Sequence, residues 1–350
     1  MGGMTNYFIR RILLMIPTFL GITIVFFFIL QIVPGGPLEQ ELMKLRMGAA
    51  EMGGEGAGGG AGSGFGDVAI PEEALEEMKK FYGMDKPIHI RYITWLWNVV
   101  HLDLGNSYVY SEPVWDTIKT RFPISIYYGL FGFILSYSLC VPLGVFKAIK
   151  HGSKFDTTSS LLVLTGYSIP GWALGAVLLV LLGGGSFWSV FPLGEFRSEG
   201  WEDLAIGAKI LDQFYHSVLP LVAYTIGSFA VLTVLMKNSL LENMGQDYVR
   251  TAFAKGLPEK RVIFIHALRN SLIPIATNIG QLIGIFLAGS YLIEKTFNID
   301  GLGMLGFTSI LTRDYPVTMG FLVIAGIIKL LGNIISDMTY AAVDPRIRFK

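Results

Sequence analysis

The chain has 350 residues, 52% hydrophobic and only 15% charged, with 27 Lys and Arg balancing 27 Asp and Glu. Its mean hydropathy is +0.54. A soluble domain usually carries about 25% charged residues, so the composition excludes an ordinary soluble fold. The zero net charge gives no sign of a nucleic-acid partner, and the single cysteine, Cys140, excludes an intrachain disulfide.

About 20 apolar residues cross a bilayer core as a helix. Six runs qualify, at residues 10–33, 122–147, 157–182, 214–237, 272–293 and 317–340. An all-α integral membrane protein with six transmembrane helices is expected. The first run follows Arg10-Arg11 and is too long for a signal peptide's apolar core. Pro34-Gly35-Gly36-Pro37 comes after it, not a cleavage site, so a retained helix over 1–33 is expected.

Residues 34–121 form the one sizeable segment outside the membrane. Its Gly-rich piece, 48–66, has too little apolar surface to order itself and reads as a flexible loop. Glu72 and Glu73 after Pro71 open a helix that Lys79, Lys80 and Gly83 close. A second helix covers about 88–101, where Ile90, Ile93, Trp97 and Val100 recur at helical spacing. Together these make a small amphipathic cap. Residues 122–350 hold the other five spans.

The third span is interrupted by Tyr167 and Ser168 ahead of Pro170. The loop at 183–213 carries Phe187, Trp188, Phe191 and Trp201. These are interfacial anchors or contacts to a substrate or delivering protein. Basic residues set the orientation. Arg10, Arg11, Lys147, Lys150, Lys154, Lys237, Arg250, Lys255, Lys260, Arg261 and Arg269 fall on one side, against Arg197, Lys209, Lys295 and Arg313 in the short loops of the other. The basic side is the cytoplasmic one, and both termini are expected there.

Loop 238–271 contains the run Asp247, Tyr248, Val249, Arg250, Thr251, Ala252, Phe253, Ala254, Lys255, Gly256, Leu257, ending at Pro258. Ala, Arg and Lys favour a helix, Gly256 suits a left-handed cap, and Pro258 cannot continue the helix. Val249, Ala252 and Phe253 share one apolar side. A short surface helix that docks into something else is expected; an ordinary interfacial helix is the alternative.

No P-loop, H-E-x-x-H, C-x-x-C or G-x-S-x-G occurs. The histidines are scattered, so no metal site, cofactor or enzymatic activity is expected in this chain. Any energy for uphill transport must come from a partner or an ion gradient.

Arg250-Thr251-Ala252 followed by Gly256 resembles the Glu-Ala-Ala…Gly loop of permease subunits of binding-protein-dependent ABC importers. The family's Ile-x-Leu-Pro is replaced here by His266-Ala267-Leu268-Arg269, and His266 to Asn270 is similar to the di- and oligopeptide branch. So are Pro34-Gly35-Gly36-Pro37, Tyr82 to Pro87 with Tyr92 and Trp95, Asp103-Leu104-Gly105-Asn106-Ser107, Arg313-Asp314-Tyr315-Pro316 and Val343 to Ile347. The Gly-rich insertion, Gly183 to Ser186, and Met236 to Ser239 resemble the microcin C and peptide uptake subgroup.

The resemblance implies the type I ABC importer permease fold in the bacterial inner membrane. It implies a second homologous permease, two ATPase subunits, an extracytoplasmic peptide-binding protein and membrane lipid as partners. Residues 247–257 would be the ATPase-docking coupling helix. A nickel importer of the same family and an ion-coupled carrier of another class remain as alternatives. The carrier needs an intramembrane acid, for which Asp337 is the candidate.

Lys329, Asn333 and Asp337 share one face of the last span. Lys329 lines a pathway or makes a buried contact that locks helix packing. Tyr167, Ser168, Thr277, Asn278 and Gln281 border the pathway or make interhelical hydrogen bonds.

Overall fold

The computed structural model describes residues 2–43, 72–81, 83–185, 187–277 and 289–343. The Gly-rich piece at 48–66, Asn278, Gln281 and much of the expected fifth span lie outside the described residues. Regular structure among the described residues is helical, with two isolated bridges, Asn106 to Pro113 and Gly183 to Phe191.

In chain order the helices are α1 (Gly2–Ile32), α2 (Glu72–Phe81), α3 (Ile88–Val100), α4 (Val114–Lys119), α5 (Phe122–Ile149), α6 (Lys154–Ser168), α7 (Gly171–Leu182), α8 (Ile206–Met244) and α9 (Asp247–Ala254). Then come α10 (Glu259–Arg261), a π-helical turn Val262–Ala267, α11 (Leu268–Ser271), α12 (Ile273–Thr277), α13 (Tyr291–Thr296), α14 (Leu302–Leu311) and α15 (Tyr315–Val343).

Four of the expected spans appear as long apolar helices, in α1, α5, α8 and α15. α8 has 39 residues. At 1.5 Å per residue it is about 58 Å long, so it extends well past a hydrocarbon core about 30 Å thick.

The expected span at 157–182 is not one continuous helix but a broken pair, α6 and α7, bent by 94°. Ile169 between them is extended, with φ −95° and ψ 120°. Pro170 is the cause, because it lacks an N–H and forces the preceding residue out of the helical region. The 15 residues of α6 and 12 of α7 are each too short to cross alone. Among the described residues the count is therefore four long helices and one bent pair.

The chain forms two compact units. One comprises Met1–Met15, Lys119–Leu305 and Ala325–Lys350; the other comprises Ile16–Ile118 and Gly306–Ile324.

In the first unit α5 and α8 pack closely. A Cβ on Gly144 would lie 2.6 Å from the Met236 Cβ, so only glycine allows this approach. Val145, Ala148, Met236 and Leu240 form its core with Val249, Ala252, Val262, Ala267 and Ile275. A second cluster joins Tyr128, Leu219, Ala223, Ile293, Phe297 and Ile299.

In the second unit Phe27 and Leu30 of α1 pack with Tyr92 of α3 and with Tyr315 and Met319 of α15. Three of the quoted motifs meet there. Asp314 is fully buried and accepts from Ser107 Oγ at 2.5 Å and from the Tyr108 and Val109 backbones at 3.2 and 3.3 Å. Arg313 donates to the Pro34 carbonyl at 3.3 Å.

Candidate functional site

The loop helix is observed as α9, with Tyr248 Oη donating to Asn243 Oδ1 at 2.8 Å. Its end is a Schellman cap. Gly256 has φ +75°, Gly256 N–H bonds the Phe253 carbonyl at 2.9 Å, and Leu257 N–H bonds the Ala252 carbonyl at 3.3 Å. A residue with a Cβ in that conformation costs roughly 1–2 kcal/mol.

The helix has two faces. Val249 and Ala252, 2% and 7% exposed, are buried in the chain's own core. Their expected role in an apolar docking side is thereby corrected, because they hold α9 against α5 and α8. Tyr248, Arg250, Thr251, Phe253, Ala254 and Lys255 are exposed. Phe253 is 46% exposed, a large apolar side chain on an otherwise polar rim. The π-helical turn follows five residues after Leu257 and keeps Val262, Ile263 and Ala267 buried. Such turns recur near functional sites.

The second unit holds a cavity of about 750 Å³. Its walls come from α1, α3, the Asp103–Ser107 stretch and the start of α15. Arg91, Thr94, Trp95 and Asn98 line it from one face of α3. Burial lowers the Arg91 pKa from its ordinary value, with Tyr108, Tyr315 and Asp85 opposing that shift.

Residues 140–349 match the family of binding-protein-dependent transport system inner membrane components. The chain belongs to this family. It is 41% identical to the inner membrane ABC transporter permease protein YejB of Escherichia coli O157:H7, over 99% of this chain and 100% of that one. It is 39% identical to the peptidoglycan transport system permease protein YejB of Agrobacterium fabrum, over 99% of each chain. It is 36% identical to the oligopeptide transport system permease protein AppB of Bacillus subtilis, over 99% of this chain and 100% of that one.

Within this permease, the expected pathway residues are placed as follows. Tyr167 and Ser168 are exposed at the α6–α7 bend, where Ser168 Oγ bonds the Leu164 carbonyl at 2.9 Å. Lys329 and Asn333 are exposed on α15. Lys329 is therefore not a buried packing contact within this chain. Asp337 is paired with Arg11, and Tyr7 Oη donates to it at 3.2 Å. The acid the carrier reading needs is thus a neutralised tie between α1 and α15.

Two arrangements escaped sequence reasoning, the Lys147–Asp156–Lys237 cluster and the buried Glu294. Lys147, 1% exposed, donates to the Asp156 carbonyl and to Ser159 and Ser160 Oγ at 3.0, 2.8 and 2.7 Å. Lys237 from α8 grips the Asp156 carboxylate at 2.7 and 2.8 Å. Glu294, 2% exposed, accepts from the Met304 N–H at 2.5 Å and from Tyr224 Oη at 3.3 Å. Burial raises its pKa, against those hydrogen bonds. Trp201 lies between cations, with Arg197 and Lys209 at 4.2 and 4.9 Å from its ring, whereas Phe187 and Trp188 remain exposed. No local signal marked Glu294, which is followed by Lys295 and lies six residues before Asp300.

Proposed function

We propose that this chain is one of two membrane subunits of an ATP-driven importer that carries peptides across the bacterial inner membrane. The observation that carries the reading is α9, a capped helix anchored from within by Val249 and Ala252 and exposed along its other side. An anchored helix transmits motion to the core it is packed on. Phe253, buried in a partner's cleft, would contribute about 1.5–3 kcal/mol, and Arg250 and Lys255 would meet acids there.

In this reading the side with α9 and the termini faces the cytoplasm, and two ATPase subunits bind it. A homologous permease completes the pathway, and a binding protein delivers the peptide outside. ATP is held by the partners, and this chain supplies no cofactor. Lys329 supports the second subunit, because a charge at mid-membrane costs about 2.5–3.5 kcal/mol if it faces lipid.

The relatives' names carry the substrate class, with oligopeptides in one and peptidoglycan in another. A cell-wall peptide is the second substrate reading, and microcin C the narrower one from the subgroup resemblance. Nickel is supported only by the shared loop.

The test is uptake of a labelled peptide by cells carrying all subunits, wild type against Gly256→Asp. Unchanged abundance with uptake lost is expected. Undiminished uptake would remove α9 from the coupling role. Competition by a cell-wall peptide separates the two substrate readings.

A further inference from the structure

Two donor side chains that line the cavity of the second unit, Arg91 and Trp95, have no acceptor among the described residues. The Arg91 backbone N–H bonds the Pro87 carbonyl at 3.1 Å, whereas its guanidinium makes no hydrogen bond or ion pair among the described residues. Trp95 Nε1 is buried with no hydrogen-bond partner among the described residues. Both side chains are donor-only, as are those of Lys80 and Lys86 on the same wall. Leaving a buried donor such as the Trp95 indole N–H unpaired is unfavourable, so it persists where something else satisfies it, and the half-buried Arg91 lies beside it.

The Trp95 ring is held before any ligand arrives. The Trp95 ring lies 6.1 Å from Phe27 and 5.8 Å from Tyr92. Tyr92 Oη is tied to Thr23 Oγ1 at 3.0 Å. Arg91 is one helical turn from Trp95, so guanidinium and indole N–H share a face.

We propose that this cavity binds the free α-carboxylate end of a short peptide, with Arg91 and the Trp95 indole N–H as its donors. A guanidinium fork matches a carboxylate in two parallel hydrogen bonds. Phe27, Leu30 and Met319 offer apolar walls for the terminal side chain, and Asp85 and Asp103 offer acids for an ammonium. The volume of about 750 Å³ falls within the 300–1,000 Å³ of small-ligand sites. The inference rests on the peptide importer reading and adds a substrate contact in the permease, apart from the binding protein.

The test uses the assembled permease–ATPase complex in nanodiscs without the binding protein. The probes are tritiated Ala-Ala-Phe with a free carboxylate and the same tripeptide as its amide. Saturable binding of the acid, weakened roughly tenfold or more in the amide, is expected. Arg91→Gln should erase the difference between the two, and Trp95→Phe, which keeps the ring packing, should weaken the acid several-fold.

Equal binding of acid and amide to wild type would overturn the proposal without recourse to any variant. So would a phospholipid retained by wild type and lost from Arg91→Gln, with no peptide bound. If uptake depends on Gly256 while the acid fails to bind, the importer reading stands and this inference falls. If the acid binds through Arg91 while Gly256→Asp transports normally, the site stands and the coupling assignment falls.

Discussion

At the scale of single residues, Asp156 does the most. Lys147 and Lys237 share its carboxylate, and Lys147 is almost wholly buried. None of this is visible in sequence order, because Lys237 reaches Asp156 from 81 positions away. Removing one partner of a buried pair leaves the other charge uncompensated, at roughly 3–5 kcal/mol. Asp156→Ala should therefore lower the unfolding midpoint in nanodiscs, and adding Lys147→Met should recover part of the loss. Ser159 and Ser160 still accept from Lys147, which places the single variant at the lower end of that range. A midpoint equal to wild type for Asp156→Ala would show that the serines alone suffice.

At the scale of elements, α9 shows what a local pattern does and does not reveal. Its C-terminal end was legible, because Gly256 and Pro258 act through backbone sterics that need no tertiary context. The use of its apolar side was not, since Val249 and Ala252 satisfy a partner or their own core equally well in sequence. The two faces make opposite predictions. Val249→Asp buries an unpaired charge in the chain's own core and should lower the amount of folded protein in the membrane. Phe253→Asp alters an exposed residue, so abundance should hold while co-purification of the ATPase subunits falls. If both variants lose abundance alike, α9 is only a structural element.

At the scale of the whole molecule, apolar run length identified four spans, because the bilayer imposes a length that composition alone reports. The bend between α6 and α7 was not legible as a direction. Pro170 marks a break, but nothing local says that the chain turns by 94°. The meeting of Pro34, Ser107 and Arg313-Asp314 was likewise invisible, since those contacts join positions more than 200 residues apart.

Lys329 then poses a question that only the assembly answers. It is exposed on a helix with Ile327, Leu331 and Ile335 exposed around it. Those apolar residues suit lipid, whereas Lys329 and the exposed Asn333 one turn on do not. If the face meets the second permease or the aqueous pathway, Lys329→Leu should insert normally but reduce peptide uptake, or the yield of the two-permease complex, by several-fold. If it meets lipid, the same change removes an unfavourable charge, so abundance should rise and uptake per molecule should stay constant. Uptake normalised to membrane abundance separates the two outcomes, and the second would remove Lys329 from both the pathway and the subunit interface.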